Sequence, residues 1–143
     1  MKSKICTSIE QSKKLIELGI DVNTADMCWS IDIPDLPTLL AYPITDCDNW
    51  ENKISAWSLS SLMNLLPSEF TEVGKYSTSI YEIHIRKYNL IEDVNLHQIA
   101  YGNYKFYEDG SSSWKDMINT GEKEDLLDAA FEMVVLLKEN GKI

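Results

Sequence analysis

The chain has 143 residues, 44% of them hydrophobic, with 13 Lys and Arg against 23 Asp and Glu, a formal net charge of −10. A chain of this length buries about two-thirds of its unfolded surface, so its core needs no disulfide, and its acidity repels phosphate backbones, arguing against general nucleic-acid binding. The three cysteines lack paired spacing and read as free thiols of a reducing compartment.

Thr7-Ser8-Ile9-Glu10 fits a capping box and predicts a first helix over Ser8–Leu18. Ile9, Leu15, Ile16 and Leu18 form its apolar stripe, and Gly19 is its left-handed stop. From Leu15 to Asn52 there is no Lys or Arg, while Glu17, Asp21, Asp26, Asp32, Asp35, Asp46, Asp48 and Glu51 supply −8 of the charge. Met27, Trp29, Ile31, Ile33, Leu36, Leu39 and Leu40 run through this stretch, so it reads as folded rather than as an acidic tail. Ala25–Ile33 predicts a strand within it.

A second helix follows Ser58 as its N-cap and ends at Leu66, before Pro67, with Trp57 as a hydrophobic staple. Glu69–Lys75 and Ser79–Tyr88 predict strands; in the latter Tyr81, Ile83 and Ile85 alternate with Glu82, His84 and Arg86. Leu96–Tyr107 predicts another, ending at the Asp109-Gly110 turn, after which Ser111-Ser112-Ser113 reads as loop. The short Asn89–Asn95 connection favours antiparallel pairing. The third helix spans Glu124–Asn140; Asp128, Glu132 and Glu139 form a narrow polar stripe beside a wide apolar arc. That arc predicts burial on more than one side, or self-association through this C-terminal helix. The expected fold is α+β: a single domain, 1–143, with about three helices packed on a small antiparallel sheet.

Several phrases occur together: Thr24-Ala25-Asp26-Met27-Cys28-Trp29, Ala56-Trp57-Ser58-Leu59-Ser60-Ser61-Leu62 with Leu65-Leu66-Pro67, and Leu127-Asp128-Ala129-Ala130-Phe131-Glu132-Met133 running to Glu139-Asn140-Gly141. In order and spacing the chain resembles a family of small uncharacterised proteins of gut Bacteroidetes, often associated with prophage or other mobile elements. The family has no assigned activity, so the resemblance implies a bacterial mobile-element accessory role by association and transfers no residue roles.

Recognisable chemistry is sparse. Asp46-Cys47-Asp48-Asn49-Trp50-Glu51 opens like a calcium loop, but Trp50 and Glu51 occupy the places of an oxygen ligand and the turn glycine. No metal or cofactor is therefore expected. His84 and His97 are the two histidines, there is no Cys-x-x-Cys, and neither a nucleophile elbow nor a phosphate loop occurs. The aromatic residues Trp29, Trp50, Trp57, Trp114, Tyr101, Tyr104 and Tyr107 are expected mainly as packing. No signal segment or bilayer-length apolar run is visible, so the expectation is a cytoplasmic protein without membrane contact.

The expected function is a non-enzymatic accessory protein that binds a basic protein surface through Asp32, Asp35, Asp46, Asp48 and Glu51. One variant of this reading has the carboxylates mimicking phosphates in a nucleic-acid-binding groove; simple solubility is its rival. The alternative is a small enzyme assembled in the fold around His84 or His97.

Overall fold

The computed structural model describes residues 4–31, 37–40, 52–91 and 94–143. Three helices and two antiparallel sheets give an α+β fold. The helices are α1 (Ile9–Glu17), α2 (Leu59–Leu65) and α3 (Leu126–Glu139). The strands are β1 (Met27–Ser30), β2 (Thr38–Leu40), β3 (Lys53–Ala56), β4 (Glu69–Val73), β5 (Thr78–Ile91), β6 (Val94–Phe106) and β7 (Ser112–Asn119). The chain divides into two compact units, Met1–Leu66 with Ala130–Ile143, and Pro67–Ala129.

In the first unit, β1 pairs antiparallel with both β2 and β3, giving the order β2-β1-β3. The capping box of α1 lies one residue later than the sequence predicted. Ser8 Oγ accepts from the Gln11 amide, and Gln11 Oε1 accepts from the Ser8 amide. Thr7 is freed for a different task. It is fully buried, its N–H donates to Trp57 O (2.9 Å), and its hydroxyl accepts from the Trp57 amide (3.0 Å). The same hydroxyl pairs with Ser12 Oγ (2.8 Å), while Thr7 O accepts from the Trp29 indole (2.9 Å). The helix ends as predicted: Gly19 is left-handed at φ +80°, with Gly19 N–H to Ile16 O and Ile20 N–H to Leu15 O.

Asp26 shows what one member of the acidic stretch does. One carboxylate oxygen accepts from the Ser58 amide (2.8 Å) and the Ser61 hydroxyl (2.9 Å); the other accepts from Ser58 Oγ. Asp26 thereby ties the loop before β1 to the start of α2, where Ser58 caps the helix through the Ser61 amide. Asp21 caps the turn Val22–Thr24 through the Asn23 amide. Trp57 is fully buried, with its indole donating to Thr24 Oγ1 (2.9 Å). Buried side chains of this size typically contribute about 1.5–3 kcal/mol each.

The second unit is an up-and-down meander, β4-β5-β6-β7, antiparallel throughout. β7 was not anticipated: the segment expected as loop at Ser112-Ser113 is its beginning. A turn closes the β6–β7 hairpin, with Gly110 at φ +83°, Gly110 N–H to Tyr107 O, and Asp109 Oδ1 accepting from the Ser111 amide. Ile99 and Tyr101 are fully buried on one side of the meander; Phe70 packs near Tyr101, ring centroids 5.0 Å apart. The Tyr101 hydroxyl donates to Pro67 O, and burial pushes its pKa up. Thr120 is buried where β7 ends, exchanging hydrogen bonds with Ile99 through its amide and hydroxyl.

In α3, the Asp125 carboxylate accepts the Leu127 amide at the start. At the end, Gly141 (φ +67°) stands beyond the helix, with Gly141 N–H to Lys138 O and Lys142 N–H to Leu137 O. Leu127, Ala129, Ala130, Met133, Val134 and Leu137 are buried, and no large apolar side chain of α3 is exposed. Leu126, Phe131 and Leu136 of the predicted apolar arc are half-buried.

Candidate functional site

Alternation along a strand sends successive side chains to opposite faces. The register therefore assigns Ile80, Glu82, His84, Arg86 and Tyr88 of β5 to one face, with Gln98, Ala100, Gly102 and Tyr104 of β6 and Trp114 and Asp116 of β7. Ile83, Ile99 and Tyr101 go to the other face. The first of these faces is partly open. Ile80 is 50% exposed, Tyr104 51% and Phe106 82%, while His84 and Trp114 are half-buried.

Three of these rings form an ordered cluster. The His84 imidazole stacks on the Trp114 indole, with centroids 3.6 Å apart and planes inclined by 14°. Tyr104 meets Trp114 edge-on at 5.2 Å. Gly102 makes room for the indole: a Cβ there would meet two Trp114 ring carbons at 2.8 Å, and the Lys115 carbonyl as well. The glycine is thus required by close approach, and the indole covers the gap that the missing side chain leaves.

A charged pair borders the rings. Arg86 makes a bidentate contact with Asp116 (Nη1–Oδ2 2.9 Å, Nη2–Oδ1 2.6 Å), and Arg86 Nη1 also donates to Gln98 Oε1 (3.2 Å). The Trp114 indole N–H donates to Asp116 Oδ1, and Asn119 Nδ2 to its other oxygen. Asp116 therefore orients both the guanidinium and the indole. The hydrogen bonds from Arg86 hold its carboxyl below the usual carboxylate range; burial opposes them, and the Trp114 N–H and the Arg86 charge assist. The hydrogen bonds to Asp116 raise the Arg86 pKa; burial opposes them and the Asp116 charge assists. The result is a pre-positioned surface: three ordered rings with an anchored Arg–Asp fork beside them.

The other predicted residues fall elsewhere. Asp32, Asp35, Asp46, Asp48 and Glu51 lie outside the described residues, as does the candidate calcium loop with Cys47 and Trp50. His84 does not lie free on a polar face as its strand pattern suggested, because Trp114 covers one side of its ring. His97 has its backbone bridged to Lys123, and its Nδ1 is buried without a hydrogen-bond partner. Neither histidine makes a side-chain hydrogen bond to a carboxylate or thiol within its unit, among the described residues. Cys6 and Cys28 are buried in the first unit. Burial, helped by the Asp26 charge, pushes the Cys6 thiol up to about 11, far from a thiolate nucleophile at neutral pH. No group of three His, Cys, Asp or Glu side chains suited to a metal ion occurs among the described residues. Their helices include none long and apolar enough to cross a membrane.

Trp29 borders a second feature, an open depression of about 390 Å3 lined also by Ser8, Ile9, Glu10 and Pro37. Its walls offer one ionisable group and no paired catalytic groups. The ring cluster of the meander is the better-built surface, and the sequence missed it because no strand is predicted over Trp114–Asn119. Trp114-Lys115-Asp116-Met117-Ile118 does not alternate apolar with polar, so it carries no clean strand period.

No protein-family model, curated protein or solved structure matches the chain.

Proposed function

We propose that this is a non-enzymatic accessory protein that binds another protein through the open face of the meander, centred on His84, Tyr104 and Trp114. The observation that carries this reading is the half-exposed ring cluster flanked by Arg86 and Asp116. Trp, Tyr and Arg dominate the energetics of protein interfaces, and rings already locked by neighbours lose little entropy on binding. The Pro67–Ala129 unit has six Lys and Arg against twelve Asp and Glu, which favours a partner with a basic rim over a nucleic acid. A cytoplasmic setting and an accessory role on a bacterial mobile element belong to the same proposal and rest on the cysteine usage and the family resemblance.

Two acids of the lysine-free stretch have structural work of their own. Asp21 and Asp26 cap local structure. Affinity isolation from a bacterial host lysate, with nuclease and in low and high salt, tests the reading. A retained protein that is lost with Trp114→Ser and Tyr104→Ser supports it. Retention unchanged by both substitutions, or dependent on nucleic acid, overturns it.

A further inference from the structure

The meander splits at one end. β5 and β6 pair from Ile91↔Val94, across a register shift between Asn89 and Ile91, as far as Glu82↔Gly102. Beyond that point β5 continues against β4 to Thr78, and β6 continues against β7 to Phe106. The two hairpins therefore part at Glu82 and Gly102. A cleft of about 290 Å3 lies at the parting, lined by Ser79 and Tyr81 from one hairpin and by Asn103, Lys105, Lys115, Asp116 and Met117 from the other.

The chemistry of this lining is unlike that of the chain as a whole. Lys105 and Lys115 are diagonal neighbours, since Asn103 faces Lys115 and Lys105 faces Ser113. Such positions place Cβ atoms roughly 7–8 Å apart, within reach of two flexible ammonium groups converging on one ligand. Neither lysine has an ion-pair partner among the described residues. Ser79, Tyr81 and Asn103 add hydroxyl and amide donors. The Asp116 carboxylate is already engaged by Arg86, Trp114 and Asn119. Glu72, opposite Ser79 on β4, is the acid next in register and lowers the local potential.

We propose that this cleft binds a small oxyanion, of the phosphate-monoester or carboxylate class, between Lys105 and Lys115. Two like charges placed side by side are unfavourable in the empty state, and an anion relieves that repulsion while accepting hydrogen bonds from both. The volume suits a small metabolite rather than a polymer, and Asp116 is the residue the site shares with the ring cluster.

The test is amide NMR of the full chain titrated with inorganic phosphate and, separately, with succinate, at constant ionic strength set by chloride. Saturable shifts at the amides of Ser79–Tyr81 and Asn103–Lys105 are expected, with at least tenfold weaker affinity in Lys105→Gln/Lys115→Gln. Lys13→Gln, which removes one positive charge from α1, should leave affinity within twofold. Saturation by phosphate alone, succinate alone or both assigns the anion class, and each supports the cleft. Shifts that stay linear for both anions, that map elsewhere, or that persist with full affinity in the double variant overturn it. The map on the unaltered chain decides the matter even if the double variant does not fold.

Discussion

The Trp114 indole and the His84 imidazole lie nearly parallel at 3.6 Å, on strands that are not hydrogen-bonded neighbours. β6 runs between them, and Gly102 is the residue whose missing side chain allows the indole to settle there. Gly102→Ala should therefore be destabilising by about 1–3 kcal/mol, the usual cost of forcing atoms into a filled space. Thermal unfolding should show a drop of several degrees, at roughly 2–4 °C per kcal/mol for a chain of this size. An unchanged Tm would mean that the indole is not held over Gly102.

Thr7 offers a test of the first unit. Its hydroxyl serves both the Trp57 amide and Ser12 while fully buried. Thr7→Val keeps the shape and leaves those groups without a partner, so a loss of about 1–3 kcal/mol in chemical denaturation is expected. Thr7→Ser should retain most of the stability, because the hydroxyl is preserved.

The acid limb of the stability curve follows from Asp26 and Asp116. Burial acts against the charge of Asp26, but hydrogen bonds from Ser58 and Ser61 outweigh it and lower the pKa. Asp116 is lowered chiefly by Arg86. A carboxyl with a depressed folded pKa contributes stability above its unfolded value, roughly 3.9, and that contribution fades as pH falls through the folded value. Denaturation midpoints should thus be flat near neutrality and fall below about pH 4. Asp26→Asn should flatten part of that fall and lower stability at pH 7. An acid limb identical to that of the unaltered chain would contradict the role assigned to Asp26.

Cys6 should be slow to react. With its pKa pushed up to about 11 by burial and by Asp26, little thiolate exists at pH 8. Alkylation followed by peptide mass spectrometry should find Cys6 unmodified in the native protein and modified in denaturant. Rapid native labelling at pH 7 would show that the thiol is neither buried nor raised.

The helices were legible because their signals are local. Gly19 and Asn140-Gly141 stop α1 and α3 where predicted, and Pro67 follows α2 closely. The α1 cap was displaced by one residue because Thr7 and Ser8 are chemically equivalent as caps; the distant Trp57 decides between them. β5 and β6 were legible from their alternation and length. β2, β3 and β7 were not: three and four residues are too few for a pattern in Thr38–Leu40 and Lys53–Ala56, and Ser111-Ser112-Ser113 has the composition of a loop. The ring cluster needed the register of three strands, so His84, Tyr104 and Trp114 could be named from sequence but not assembled. Asp26 shows the converse, since a carboxylate counted as surface charge is used as a structural acceptor.

Hydrogen exchange on the protein with its captured partner tests the central claim most directly. Slowed exchange confined to β5–β7 around His84, Tyr104 and Trp114, and abolished by Trp114→Ser, is the predicted result. Protection centred instead on residues 32–51, with the meander unaffected, would contradict it and return the partner surface to the acidic stretch.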